Sequence, residues 1–170
     1  MKIGFVGLGN VGGKLAGSLH RNKFDLTVHD LDAAITDQFK SKGVKIAKSA
    51  GDLVKNVDVV ITCLPSPKIC SDIMLDENGI LKNISKDKIW IEMSTTDKND
   101  MINLSKKVSS KGGRVLECPI TGGEHRAKSG NISILAAGKK STFKKCFPIL
   151  SLLGHEILYC GKIGNASILK

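Results

Sequence analysis

Residues 7–12, GLGNVG, set three glycines as Gly7-x-Gly9-x-x-Gly12 between an apolar run, KIGFV, and a stretch in which Val11, Leu15 and Leu19 recur every fourth position. Glycines at this spacing act through what they lack. Gly7 permits a tight turn, Gly9 lets backbone approach a pyrophosphate, and Gly12 lets a helix pack on the preceding strand. The helix then presents free N–H groups and the positive end of its dipole to phosphate. Asp30 lies 18 residues beyond Gly12, where a second strand is expected to end and a carboxylate meets the hydroxyls of a ribose. A carboxylate there repels the additional phosphate of NADP, and Leu31 is apolar where an NADP site usually offers arginine. NAD is the expected cofactor, held by Gly7, Leu8, Gly9, Asn10, Val11, Gly12, Asp30 and Leu31. Two plainer roles stay open: an ordinary strand-to-helix turn for the glycines, and a helix cap for Asp30 or Asp32.

A second group follows RVLEC at 114–118. Thr121, Gly122 and Gly123 form a loop whose small residues expose consecutive backbone N–H groups beside a hydroxyl, an arrangement suited to a carboxylate. The same residues also make a tight turn, and the nearby His125 reads as solvated.

The elements that must position these residues come from the hydrophobic pattern. KIGFV (2–6), FDLTVH (24–29), VDVVITC (57–63), IWIEM (89–93) and RVLEC (114–118) are short, β-branched, nearly continuous apolar runs, as in strands covered on both faces. Helical patterns lie between them, from Val11 through Leu19 and near 33–41, 49–55, 67–74 and 97–109. Alternation of strand and helix predicts an α/β fold, a Rossmann-like doubly wound, mostly parallel sheet with helices on both faces. Further strands are expected at 132–136 and 155–160, around a helix near 140–152 that Pro148 should kink or end.

Composition narrows the classes. The 170 residues are 41% apolar, enough for one domain with an ordinary core. Apolar runs fall far short of the roughly 20 residues of a membrane span, and the first strand leaves no room for a presequence, so a cytoplasmic protein with no membrane partner is expected. Five cysteines without a C-x-x-C pair read as reduced thiols. No spacing of ligands suggests a metal. The net charge of +10 is spread along the chain, and one Trp, one Tyr and five Phe supply no aromatic stripe among the basic residues, so no nucleic-acid partner is expected.

The first unit resembles the opening signature of the 3-hydroxyisobutyrate dehydrogenase (β-hydroxyacid dehydrogenase) family, with Val11 and Leu15 where that family usually has methionine. The resemblance runs the whole length of the chain. VITCLPSP is similar to the family's loop after the fourth strand, which implies that Leu64 and Pro65 lie beside the cofactor. IEMSTTD resembles its Asp-x-Ser-Thr stretch, placing Ser94 and Thr95 at the nicotinamide end. ECPITGGEHRAKSG resembles the substrate-binding signature, with Glu117, Cys118, Ile120 and Thr121 as replacements, and GKIGNASILK resembles Gly-x-x-Gly-x-Gly-x-x-x-Lys with Ala166 for the third glycine. Arg126 departs from the usual small residues and leaves the substrate's identity open.

The resemblance implies an NAD-dependent oxidoreductase acting on a short, anionic 3-hydroxy acid, with Thr121, Gly122 and Gly123 binding substrate. Lys170, nine residues after Gly161, falls where the family places its general acid/base. A neutral lysine can take the hydroxyl proton as hydride leaves, but an amine of ordinary pKa, about 10.4, must first be tuned by burial or neighbouring cations. The expected organisation is a dinucleotide-binding domain over 1–164 and the start of an interdomain helix at 165–170. The family's all-helical C-terminal domain, through which a homo-oligomer would form, is absent. Lys170 is then expected to be half of a site, mobile on an unstable one-turn helix, and the chain alone inactive. A non-catalytic NAD-sensing module, a 6-phosphogluconate dehydrogenase-like enzyme and an S-adenosylmethionine methyltransferase are the alternatives. The acid at Asp30 and the EMSTTD stretch favour the NAD-linked hydroxyacid branch.

Overall fold

The computed structural model describes all of residues 1–170. Nine strands form one sheet: β1 (Lys2–Val6), β2 (Asp25–His29), β3 (Lys45–Ile46), β4 (Val59–Thr62), β5 (Ile89–Glu92), β6 (Arg114–Glu117), β7 (Ile120–Thr121), β8 (Ile132–Gly138) and β9 (Gly154–Gly161). The order β3-β2-β1-β4-β5-β6 is parallel throughout. β8 joins β6 antiparallel, and β7 and β9 both pair with β8, the first antiparallel and the second parallel.

Eight helices lie between these strands and a ninth follows the last: α1 (Gly12–Arg21), α2 (Ala33–Lys40), α3 (Ala50–Lys55), α4 (Pro67–Leu75), α5 (Ile80–Asn83), α6 (Lys98–Ser110), α7 (Gly123–Ser129), α8 (Lys140–Leu153) and α9 (Asn165–Leu169). Because side chains alternate along a strand, each parallel strand feeds two cores. One packs Phe5, Ile61, Ile91 and Leu116 under α1 and α8. The other packs Val60, Trp90 and Val115 under α3, α4 and α6. Helices therefore cover both faces, which is why the strands read as unbroken apolar runs.

The chain winds outward from β1 through β2 and β3, then returns to β4 and winds the other way. That reversal between β1 and β4 opens a crevice at the carboxyl ends of the strands, where ligands bind in doubly wound sheets. Every predicted strand is present, as is every predicted helix. The short β3, α5, β7 and α7 were not foreseen. Pro148 neither ends nor interrupts α8, which continues to Leu153. Pro148 and Lys144 both lie on the exposed side of α8, where a carbonyl without its i→i−4 partner costs less than in the core.

Candidate functional site

A cavity of about 630 Å³ lies along the carboxyl ends of the strands. Asp30 follows β2, Gly7 follows β1, Leu64 and Pro65 follow β4, Ser94 and Thr95 follow β5, and Thr121 ends β7. The sheet order thus lays out the sequence motifs as one continuous trough. Every residue assigned above to the cofactor, the substrate or proton transfer lines it except Leu8, whereas His125 and Arg126 do not. Leu8 stands apart: its side chain is 3% exposed and belongs to the core, and its backbone N–H donates to Asp30 Oδ2 at 2.6 Å.

The three glycines differ in what confines them. Gly7 has φ +92°, and a Cβ there would collide with the Cys63 carbonyl. A Cβ on Gly12 would collide with the Gly7 carbonyl, whereas one on Gly9 would meet nothing within 4 Å. Two glycines are demanded by the fold itself, and the third opens onto empty space. α2, α3, α4 and α6 are capped by Asp32, Ser49, Ser66 and Asp97, but α1 has no side-chain cap and no acid in its first turn. The amides of Gly13 and Lys14 already bond to the carbonyls of Gly9 and Val11, while that of Gly12 has no backbone partner and is the kind of free donor an anion can use. Asp30 Oδ1 also accepts from Asp32 N–H at 2.9 Å, so this carboxylate holds both the glycine turn and the start of the next helix. The cap of α2 is Asp32, and Leu31 stands 89% exposed beside it.

At the other end, two strands terminate in buried glutamates that are neighbours in register, Glu92 and Glu117. Glu92 Oε1 accepts from Ser94 N–H at 2.6 Å, and Oε2 accepts from Thr62 Oγ1 at 2.6 Å and Cys70 Sγ at 2.7 Å. Thr62 in turn accepts from Trp90 Nε1 at 2.8 Å. Ser94 is fixed by this network, and its hydroxyl accepts from Leu64 N–H at 2.7 Å, tying the loops after β4 and β5 together. Burial raises the Glu92 carboxyl above its ordinary value, against the bonds from Cys70, Ser94 and Thr62 that oppose the rise. Cys63, on the cavity wall, is pushed up to about 12 by burial first and the charge of Glu92 second. It is therefore a protonated thiol rather than a nucleophile. All five cysteines are unpaired.

Lys170 Nζ donates to Thr121 Oγ1 at 2.7 Å, with both residues exposed on the cavity rim. Where a frayed stub was expected, the last residues are helical. α9 is formed, and Glu117 accepts from Gly164 N–H, Ser167 N–H and Ser167 Oγ at its start. Glu117 entered the sequence reading only as a replaced motif residue, and no spacing could announce its partners 47 and 50 positions away. The signal was a charged residue closing an apolar strand. Gly122, φ +136°, caps α7, which begins at Gly123. Arg126 is exposed on α7, with its stem against Gly122, and does not line the cavity.

The fold and this trough define a nicotinamide-dinucleotide-binding domain of the Rossmann type. Residues 2–161 match the family described as the NAD binding domain of 6-phosphogluconate dehydrogenase, and the chain belongs to that family. Among curated relatives it is 32% identical over 168 residues to the mitochondrial 3-hydroxyisobutyrate dehydrogenase of Rattus norvegicus, covering 99% of this chain and 50% of that protein. It is 31% identical over 170 residues to glyoxylate/succinic semialdehyde reductase 1 of Arabidopsis thaliana, covering 100% of this chain and 59% of that one. The structure of the Mycobacterium tuberculosis 3-hydroxyisobutyrate dehydrogenase with L-serine superimposes with a TM-score of 0.92 at 26% identity, covering 99% and 57% of the two chains. These likenesses identify the N-terminal nucleotide-binding domain of the 3-hydroxyisobutyrate dehydrogenase group of oxidoreductases. The chain spans about half the length of the curated relatives it matches. No helix is long and apolar enough to cross a membrane.

Proposed function

We propose that this domain serves an NAD-dependent dehydrogenase of short 3-hydroxy acids, with Lys170 as general acid/base. The observation that carries the reading is the hydrogen bond from Lys170 Nζ to Thr121 Oγ1 at 2.7 Å. It brings the amine and the carboxylate-binding loop together on the wall that also carries Ser94 and Thr95.

The residues present fit the cofactor. The uncapped start of α1 and the open side of Gly9 suit a pyrophosphate, and Asp30 retains lone pairs for ribose hydroxyls beyond the two that accept from Leu8 and Asp32 N–H. Bound there, the nicotinamide ring supplies the hydride acceptor. The Thr121 hydroxyl accepts from Lys170 and keeps its own hydrogen to donate to a substrate carboxylate, which Gly122 and Gly123 would also face. Lys170, as the neutral amine, takes the proton from the substrate hydroxyl as hydride leaves the carbinol carbon, and its ammonium returns that proton in the reverse direction. The preference for NAD over NADP rests on the charge of Asp30 and the apolar Leu31.

The positive field of the chain, +10 overall, favours an anionic substrate. Five unpaired cysteines suit the reducing cytoplasm. The exposure of Lys170 and Thr121 leaves the reacting end open to water, so we expect these 170 residues to bind NAD without appreciable turnover. In a longer protein the closing wall would come from a helical domain, which we expect also to mediate homo-oligomer formation. Calorimetric titration with NAD, together with NADH formation from several 3-hydroxy acids on the same preparation, tests the reading. Absence of NAD binding would refute it.

A further inference from the structure

We infer that Glu117 is a positioning residue for Lys170: its buried carboxylate sets the start of α9 and so determines where the lysine amine lies. The inference rests on the proposed role of Lys170 for its catalytic meaning, but not for its geometry.

Glu117 is 0% exposed and forms no ion pair. A buried carboxylate without a cation needs strong donors. All of its side-chain bonds come from one four-residue stretch: Gly164 N–H to Oε2 at 2.6 Å, Ser167 N–H to Oε1 at 2.6 Å, and the Ser167 hydroxyl to Oε1. Gly164 is the N-cap of α9, with φ +93°, and Ser167 is its third residue. Glu117 therefore satisfies backbone groups that the first turn of any helix leaves open, and places negative charge at the positive end of the dipole. A five-residue helix does not nucleate in water on its own. This one exists because a side chain from the sheet supplies what its own sequence does not, since α9 has no side-chain cap and no acid in its first turn.

The same short segment grips α9 a second time. Four residues beyond Glu117, Thr121 accepts from Lys170 Nζ, three residues beyond Ser167. Residues 117–121 thus hold one turn of helix at its amide end through a carboxylate and at its far end through the lysine itself. The first contact is buried and the second exposed, so the first defines the position and the second reads it.

Glu117→Gln and Glu117→Asp separate this role from space-filling. Glutamine keeps the shape but turns an N–H₂ donor toward N–H groups, whereas aspartate keeps the charge and loses a methylene. Amide hydrogen exchange by NMR on the 170-residue chain should show Gly164, Ser167 and Lys170 exchanging at least tenfold faster in E117Q, with Ile61 and Ile91 unchanged. E117D should recover part of that protection. A purely packing role gives the reverse order, with Gln neutral and Asp harmful, and would overturn the inference, as would unchanged exchange in both. Should E117Q fail to fold, Ser167→Ala decides. It removes one donor from the carboxylate, and a rise in exchange confined to 164–170 supports the inference while no rise overturns it. NAD affinity, measured alongside, should stay within twofold in every variant. Loss of NAD binding in the unmodified chain would sink the proposed function and leave the exchange result standing.

Discussion

Asp30→Asn is expected to erode discrimination between NAD and NADP, and the structure shows why asparagine is a better probe than alanine. The carboxylate accepts from Leu8 N–H at 2.6 Å and Asp32 N–H at 2.9 Å, and a hydrogen bond to a charged group contributes about 1.5–3 kcal/mol. Alanine removes both bonds, loosens the glycine turn and weakens both nucleotides, which confounds the measurement. Asparagine keeps one carbonyl acceptor and removes the charge. A phosphate about 5 Å from a carboxylate is opposed by roughly 3 kcal/mol per unit charge at an effective dielectric near 20, and by about 1 kcal/mol in water. Asp30 is half-buried, so a relief of about 1–3 kcal/mol is expected, on the order of 10–100-fold in the ratio of dissociation constants. Calorimetric titration of both proteins with both nucleotides, at low and high salt, measures the ratio and its screening. Equal affinity of the unmodified chain for NAD and NADP, or a ratio unmoved by D30N, would refute the reasoning.

The glycines can be separated by the same titrations. Gly9→Ala should fold normally and bind NAD at least tenfold more weakly, because its Cβ enters open space where the pyrophosphate would lie, whereas Gly12→Ala should lower stability by about 1–3 kcal/mol through its clash with the Gly7 carbonyl. Thr121→Ala, in an active longer form, should reduce kcat/KM for a hydroxy acid by roughly tenfold or more with NAD affinity unchanged; an equal fall in NAD affinity would mark the loop as structural. Glu92, whose carboxyl is raised by burial, binds its proton more readily folded than unfolded. It therefore contributes stability that is full below the ordinary carboxyl range and is lost as pH rises through its folded value. Glu92→Gln should flatten that part of the stability curve in urea denaturation at a series of pH values, and identical pH slopes would count against the assignment.

How much the sequence disclosed follows the range of the interactions. Strands β1, β4 and β5 were legible because both faces are buried and the runs are nearly continuous in apolar residues, with Lys2, Thr62 and Glu92 only at their ends. The glycine turn was legible because its spacing is a short motif between a strand and a helix, with Gly12 packed on Gly7 five residues earlier, even though the Cys63 carbonyl that confines Gly7 lies far along the chain. β3, with two residues, and β7, with two, carry too little pattern to be read, and their pairing is decided by what already lies beside them. α7 hid in a loop reading because two glycines at its start suggest a turn more strongly than a helix. Pro148 misled because the cost of an interior proline depends on whether the freed carbonyl meets water, which only the helix's orientation reveals. The buried glutamates were out of reach for the same reason, since Glu92 and Glu117 acquire meaning from partners 22 to 50 residues distant.

The chain's single tryptophan, Trp90, is fully buried and donates to Thr62 beneath the Glu92–Ser94 network. That makes the domain its own optical instrument. Emission comes from one site in one environment, shielded from water and therefore blue-shifted, with no second indole to blur it. Reduced nicotinamide absorbs where tryptophan emits, so a dinucleotide lodged against Ser94 should drain the excited state by energy transfer, while the oxidised form leaves it bright. Binding of the reduced nucleotide thus becomes readable in the unlabelled protein by fluorescence alone.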